Sequence, residues 1–311
     1  MEKNSIKILS TNISKEKGTV KKPIEFIELD DRGIKGDAHA GKWHRQISML
    51  GNESFIRFSE LAGRTVDFGE FAENITTEGM ELFKVSPFDR FSNEEIDLEV
   101  AQIGKKCHGD SCAIYREVGY CVFPKEGIFV RVIKGGKIKA GDFLEYHPKK
   151  FKTLIITLSD RASAGEYKDL SGPKIKEALE IFFAANKWDS QIEIKVIPDD
   201  AEKLQDILQK AKKDCDFIFT TGGTGIGPRD ITVDVIKPLL DKEIPGIMEM
   251  IRMKYGMEKP NALISRSVAG LIGNTIIFTL PGSVKAVNEY MSEITKVLRH
   301  LILMLNDIDA H

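Results

Sequence analysis

The sequence has no run of ~18 apolar residues able to cross a bilayer as a helix. Its opening stretch, MEKNSIKILSTNISKEKG, lacks the apolar core of a secretory leader. The expectation is a cytoplasmic protein with no membrane partner. Strong net charge is missing as well. Forty-five Lys and Arg against 47 Asp and Glu leave a formal −2, so no global positive field draws the chain to nucleic acid. Cysteine is scarce, four in 311 residues, which excludes a disulfide scaffold. Three of the four, Cys107, Cys112 and Cys121, crowd one segment, and that points to thiol chemistry or metal rather than structural bridges. Internal repeats and low-complexity tracts are absent.

What is present is an ordinary globular composition, 42% hydrophobic and 30% charged. The length exceeds what a single core usually holds, so two domains are expected, residues 1–148 and 152–311. The boundary falls in the polar stretch at 147–150. The first half reads as short strands at 6–10, 24–28, 47–50, 96–103 and 128–133, with one helix over 53–61, which predicts a mainly β, barrel-like domain. VIKGGKIKAGDFLEYH reads as a hairpin turning at Gly135-Gly136.

From Lys152 the rhythm becomes strand, helix, strand, helix. Strands are expected at 153–158, 192–197, 216–220 and 275–280, and helices at 173–186, 202–213, 233–240 and 284–305. Ser171 is the expected N-cap of the first of these helices. Alternation of this kind predicts an α/β, doubly wound, mostly parallel sheet. Ligands bind such sheets beyond the carboxyl ends of the strands. Four loops are expected there. They are Ser159-Asp160-Arg161 with the residues to Gly165, Pro198-Asp199-Asp200, TTGGTGIGPRD at 220–230, and Pro281-Gly282-Ser283-Val284-Lys285.

The third loop is the strongest signal. Gly222, Gly223, Gly225 and Gly227 let backbone N–H groups approach a ligand, and Thr221 and Thr224 add hydroxyls for phosphate oxygens. Neither a Walker A loop nor a GxGxxG fingerprint is present. The plain alternative is a Gly-rich turn without a ligand. Asp199 and Asp230 would lie at the same edge, where paired carboxylates can hold Mg²⁺ beside a triphosphate. Their alternatives are a turn or helix cap. Arg161, Arg229 and Lys285 can neutralise phosphate, or can be solvated surface cations.

SDRASAGEYKDLSGP, IPDD, TTGGTGIGPRDIT and LPGSVKAV together resemble the molybdopterin adenylyltransferase family of the MoaB/Mog type, over about residues 152–305. The resemblance implies a domain that binds molybdopterin and ATP with Mg²⁺ and joins AMP to the pterin's terminal phosphate. It places Asp199 and Asp230 at the family's functional acidic positions and Gly222–Gly225 as a cradle. Asp160, Ser283 and Lys285 line the same pocket. Val233 stands where proline is common in the family. The resemblance also suggests homo-oligomers, trimers among them, and other enzymes of the molybdenum cofactor pathway as partners.

In the first half, GDAHAG at 36–41, QISML at 46–50 and ENIT at 73–76 resemble the MOSC domain, as do IGKKCHGDSC and FPKEGIFVRVIKGGKIKAGD further on. That family is mainly β and is associated with sulfuration or binding of the molybdenum cofactor, and its characteristic cysteine matches Cys107. Lys105, Lys106 and His108 flank Cys107 and would favour a thiolate. Cys112 and Cys121 can resolve a persulfide, complete a metal site with His108, or simply fill apolar space. The spacing is not a usual structural zinc pattern. Cys215 reads as core. Asp37, His39 and Asn74 are candidate ligand residues or turn formers. Three functions follow: an adenylyltransferase with an assisting first domain, a cofactor carrier without turnover, and a persulfide carrier acting through Cys107.

Overall fold

The computed structural model describes residues 4–106 and 121–308. The chain divides into two compact units, one running to Lys149 and the other from Lys150 to Asn306.

In the first unit the strands are β1 (Ser5–Ile13), β2 (Lys22–Ile24), β3 (Phe26–Asp30), β4 (Gly33–Ile34), β5 (Ile47–Gly51), β6 (Ile75–Glu78), β7 (Arg90–Ser92), β8 (Asp97–Ile103), β9 (Ile128–Lys134), β10 (Lys137–Lys139) and β11 (Phe143–His147). Seven of them close into a barrel in the order β11-β7-β8-β9-β5-β6-β1, with β1 pairing back to β11. Closure leaves the ring without open edges. The strands alternate about the wall, so that Ile6 and Ile8 of β1 point inward to meet Met49, Phe91, Val100, Val130 and Leu144, all fully buried. Each such side chain stabilises the barrel by about 1.5–3 kcal/mol. The expected helix spans Asn52–Ala62 and ends on Gly63 in the left-handed conformation.

The expected hairpin at Gly135-Gly136 does not form. β9 pairs with β5 and β8, whereas β10 leaves to pair with β3. The two glycines serve close passage of chains. A Cβ at Gly135 would lie 2.4 Å from the Leu29 carbonyl oxygen, and one at Gly136 2.5 Å from that of Glu95. The predicted strand 24–28 is broken at Glu25 into β2 and β3, which join different sheets.

The second unit is built on β12 (Lys150–Leu158), β13 (Asp189–Ile197), β14 (Phe217–Thr221), β15 (Lys242–Glu243), β16 (Ala269–Ile272) and β17 (Thr275–Leu280), ordered β13-β12-β14-β17-β16-β15. The first four run parallel. The last two are antiparallel and were not foreseen, because a two-residue strand and the run AGLI carry no alternation. β14 and β17 are buried along their whole length, as apolar runs in parallel sheets are. Helices occupy Ser171–Ala185, Ala201–Ala211, Thr232–Ile236 and Val284–Leu305. A further one at Pro245–Gly256, opened by its proline, was also not foreseen. Ser171 is not the N-cap. The Asp169 carboxylate accepts from the N–H groups of Ser171 (2.9 Å) and Gly172 (3.3 Å), and the Ser171 hydroxyl instead donates to the carbonyl of Gly282 at 2.6 Å.

Candidate active site in the second unit

The loop after β14 is tied to the loop after β17. Thr221 Oγ1 donates to the Pro281 carbonyl at 2.9 Å, and Gly222 N donates to that of Leu280 at 3.0 Å. Gly222 and Gly223 then take φ of +98° and +64°, values that L side chains resist. A Cβ at Gly222 would stand 2.3 Å from the Leu158 carbonyl oxygen. Thr232 fastens the far end, its hydroxyl donating to Gly222 O at 2.8 Å and its N–H to Gly223 O at 3.1 Å. Between these anchors the N–H groups of Gly223, Thr224 and Gly225 make no hydrogen bond among the described residues. Three consecutive unpaired donors in a turn form a concavity suited to an anion.

Asp230 does not cap the helix that follows it, which has no side-chain cap. Its Oδ2 accepts from Gly227 N at 2.8 Å, closing its own loop. Asp199 is likewise not the cap of Ala201–Ala211, because Asp200 accepts from Lys203 N. Asp199 is engaged with Asp160. Asp160 N donates to Asp199 Oδ2 at 3.2 Å, and Asp199 N donates to Asp160 Oδ1 at 3.0 Å. Arg229 Nη2 donates to Asp160 Oδ2, and this guanidinium holds the Asp160 carboxyl below its usual range. Burial pushes Asp199 the other way, with the charges of Asp160 and Asp230 adding to the effect. Asp199 and Asp230 each keep one carboxylate oxygen, Oδ1, without a hydrogen bond among the described residues.

Around them, Ser159 caps the short helix Asp160–Ser163, and its hydroxyl meets Tyr167 Oη at 2.9 Å. Arg161 stacks on the Tyr167 ring, 5.3 Å from its centroid. Ser283 caps Val284–Leu305 by accepting from Ala286 N. Lys285, exposed in that helix's first turn, has its pKa lowered by the ammonium of Lys259. Thr224 is buried.

Arg266 was missed by sequence reasoning. Its backbone N–H donates to Thr224 O (2.9 Å), its Nε to Gly225 O (2.6 Å), its Nη2 to Asp230 O (2.7 Å), and its guanidinium forks onto Asp234. It therefore sets the shape of the cradle from behind. Nothing in the run ISRSV signals this role, since the partners lie more than 30 residues away. Arg266 and Asp234 also line a cavity of about 540 Å³ with Arg252, Ser265 and Ser267.

In the barrel, Asp37, His39 and Asn74 do come together, but largely inside the wall. Asp37 Oδ2 accepts from Lys21 Nζ (2.6 Å), Asn74 Nδ2 (3.0 Å) and Ser14 N (3.1 Å), while Oδ1 accepts from His39 N at 2.9 Å. Burial opposes ionisation of Asp37, yet the bonds from His39 and Lys21 hold its carboxyl well below the usual range. Asn74 Oδ1 accepts from Ser48 N and Oγ. Asp37 and Asn74 are thus filled as hydrogen-bonding groups, and His39 is the partly exposed member. Cys121 is partly buried against the apolar cluster that contains Phe55, Phe58 and Phe123, and Cys215 packs on the core of the second unit, where burial raises its pKa. Cys107, His108 and Cys112 lie outside the described residues.

Residues 154–300 match the model of the probable molybdopterin binding domain, and residues 36–145 match that of the MOSC domain. A molybdopterin adenylyltransferase of Pyrococcus furiosus is 40% identical over 163 residues, which cover 49% of this chain and 92% of that protein. Gephyrin of Dictyostelium discoideum is 38% identical over 159 residues, but the chain spans only 22% of its length. Among solved structures, the tungsten cofactor synthesizing protein MoaB from Pyrococcus furiosus is 36% identical, covering 51% of this chain and 98% of that one, with a TM-score of 0.45.

Proposed function

Since the chain belongs, through its second unit, to the family of the probable molybdopterin binding domain, we propose that this unit transfers AMP from ATP to the terminal phosphate of molybdopterin. The observation that carries the reading is the cradle, where the unpaired N–H groups of Gly223, Thr224 and Gly225 stand beside Asp199 and Asp230. The reading takes the unit as a doubly wound sheet with its ligands beyond the strand ends.

A phosphate oxygen of the pterin forms a bond to the α-phosphorus of ATP, and the bond from that phosphorus to the β-phosphate oxygen breaks, releasing pyrophosphate. Little covalent help is needed from protein, and positioning with charge neutralisation supplies most of the catalysis. The three N–H donors fix phosphate oxygens, and Arg266 keeps them aimed by holding the carbonyls on either side. Mg²⁺ usually rests on one or two carboxylates plus substrate phosphates, and the free Oδ1 atoms of Asp199 and Asp230 fit that need. When bound there it would offset negative charge on the leaving pyrophosphate.

The MOSC unit is assigned to cofactor or sulfur handling on the same chain, where tethering raises the local concentration of a shared intermediate. Other enzymes of the pathway and further copies of this chain are its expected partners. The test is incubation of purified protein with molybdopterin and Mg-ATP. Adenylylated pterin and pyrophosphate are expected, and both should be lost in Asp230→Ala. Tight pterin binding with no product from folded protein would replace the enzyme with a carrier.

A further inference from the structure

The aromatic rings of the second unit mostly lie inside it. Phe151, Phe217, Phe219, Phe278 and Tyr290 are buried, and Tyr255 is half-buried with its hydroxyl donating to Glu293. Tyr167 differs, with 46% of its surface exposed. It is nevertheless held. Its Oη shares a hydrogen bond with Ser159 Oγ at 2.9 Å, and the guanidinium carbon of Arg161 lies 5.3 Å from the ring centroid. Glu166 N donates to Arg161 O at 2.9 Å, a bond that folds the loop so that Arg161 and the ring meet. A lone exposed ring carries little meaning by itself. Its position gives it one.

The loop that carries Tyr167, residues 159–171, is pinned to the candidate site at both ends. At its start, Ser159 N donates to Ile197 O at 2.9 Å, and Asp160 is locked to Asp199 and Arg229. At its end, Asp169 Oδ2 accepts from Thr157 Oγ1 at 2.8 Å, and Ser171 Oγ donates to the Gly282 carbonyl at 2.6 Å. Gly282 packs in turn on Gly222, whose Cα would lie 3.3 Å from a Cβ at Gly282. The ring is thus presented by a loop that runs from the carboxylate pair to the cradle. A ligand whose phosphates sit between those two features carries its ring system beyond them. Flat heterocycles stack well on aromatic faces and on guanidinium planes, and this loop offers both.

We propose that Tyr167, steadied by Ser159 and Arg161, is the stacking platform for the bicyclic heterocycle of the phosphate-bearing ligand, adenine or pterin, and so a specificity-determining residue of this site. The proposal rests on the reading of the second unit as a nucleotide- and pterin-handling site, but it concerns ring binding and not transfer. Stacking is indifferent to the groups on a ring's edge, so Tyr167 selects a flat ring over a bare phosphate chain without choosing among purines.

The experiment is isothermal titration of the full chain with Mg-ATP, with a pterin phosphate monoester, and with Mg-tripolyphosphate, which has phosphates and no ring. Tyr167→Ala should weaken at least one of the ring-bearing ligands by about tenfold or more, and should leave tripolyphosphate unchanged. The ligand that weakens is the one that stacks, ATP identifying adenine and the monoester the pterin. Tyr167→Phe keeps the ring and should bind nearly as the parent does. Tyr167→Leu keeps bulk without a π face and should bind as weakly as Tyr167→Ala, which covers the case in which alanine disturbs the loop. Three results overturn the proposal: equal ring-ligand affinity in the parent and the folded variants, a matching loss for tripolyphosphate, or no binding of either ring-bearing ligand by the parent. Ring binding that depends on Tyr167, in protein that makes no adenylylated pterin, sustains the platform and removes only the transfer reading. Normal transfer with binding indifferent to Tyr167 does the reverse.

Discussion

Asp160 and Asp199 exchange backbone hydrogen bonds, each N–H donating to the other's carboxylate at 3.2 and 3.0 Å. Two loops from different strand ends are thereby locked in register, and two like charges are drawn together. Arg229 neutralises Asp160, so Asp199 retains the oxygen that is free for a cation. Replacing Asp199 by Asn keeps an acceptor for the Asp160 N–H while removing the charge. Adenylyl transfer should fall by about 10²-fold or more, equivalent to ~3 kcal/mol of lost transition-state stabilisation. Thermal unfolding should change little. Single-turnover assays of folded Asp199→Asn set against its melting curve check both halves of the expectation.

Arg266 offers a different test, because it touches loop carbonyls and not the expected ligand. Arg266→Lys presents one ammonium to acceptors that a planar fork now reaches in several directions. At about 1 kcal/mol per hydrogen bond lost, two lost bonds should release the cradle. ATP affinity and turnover should both drop by about tenfold, with the sheet intact by circular dichroism. An unchanged KM and kcat would show that the loop keeps its shape without this clamp.

The sequence made the β-rich first half, the α/β second half and the loops at the strand ends legible, because these rest on local pattern and on glycine chemistry. Two kinds of feature were not legible. One is long-range partnership: Arg266 closing on Thr224 and Gly225, or Asp169 rather than Ser171 serving the helix start. The other is glycine with two uses. Gly135-Gly136 reads as a turn, while its lack of side chains serves the passage of Leu29 and Glu95. Asp37 and Asn74 show the same ambiguity for polar residues, since ligand groups and buried hydrogen-bond hubs use identical chemistry. Only their burial separates the two.

Gly222 makes the local side of that lesson testable. With φ at +98° and the Leu158 carbonyl 2.3 Å from a would-be Cβ, Gly222→Ala must strain the backbone and push β12 from the loop. A loss of about 2–4 kcal/mol is expected from the two effects together. Urea unfolding of the second unit, followed at Trp188, measures it. A loss below ~0.5 kcal/mol would mean that the loop relaxes freely and is no rigid cradle.

Glu73 gives the barrel a pH dependence between about 4.5 and about 7. It is fully buried, its Oε1 accepts from Gly69 N and Thr76 Oγ1, and its Oε2 has no partner. Burial raises its pKa from 4.5 to about 7. The folded state therefore holds this proton more tightly than the unfolded chain does. The stability it contributes is fully present below pH ~4.5, declines as pH rises through the folded value near 7, and levels off above it. The interval corresponds to at most about 3 kcal/mol. Glu73→Gln keeps the acceptor at Oε1 and cannot ionise, so it should remove this slope and leave the barrel more stable than the parent at pH 8. Trp43 emission in a Trp188→Phe background isolates the barrel during urea unfolding at pH 5, 6, 7 and 8. Parallel pH profiles for the two proteins would show that Glu73 ionises as readily folded as unfolded, and that Lys21 nearby compensates its charge in full.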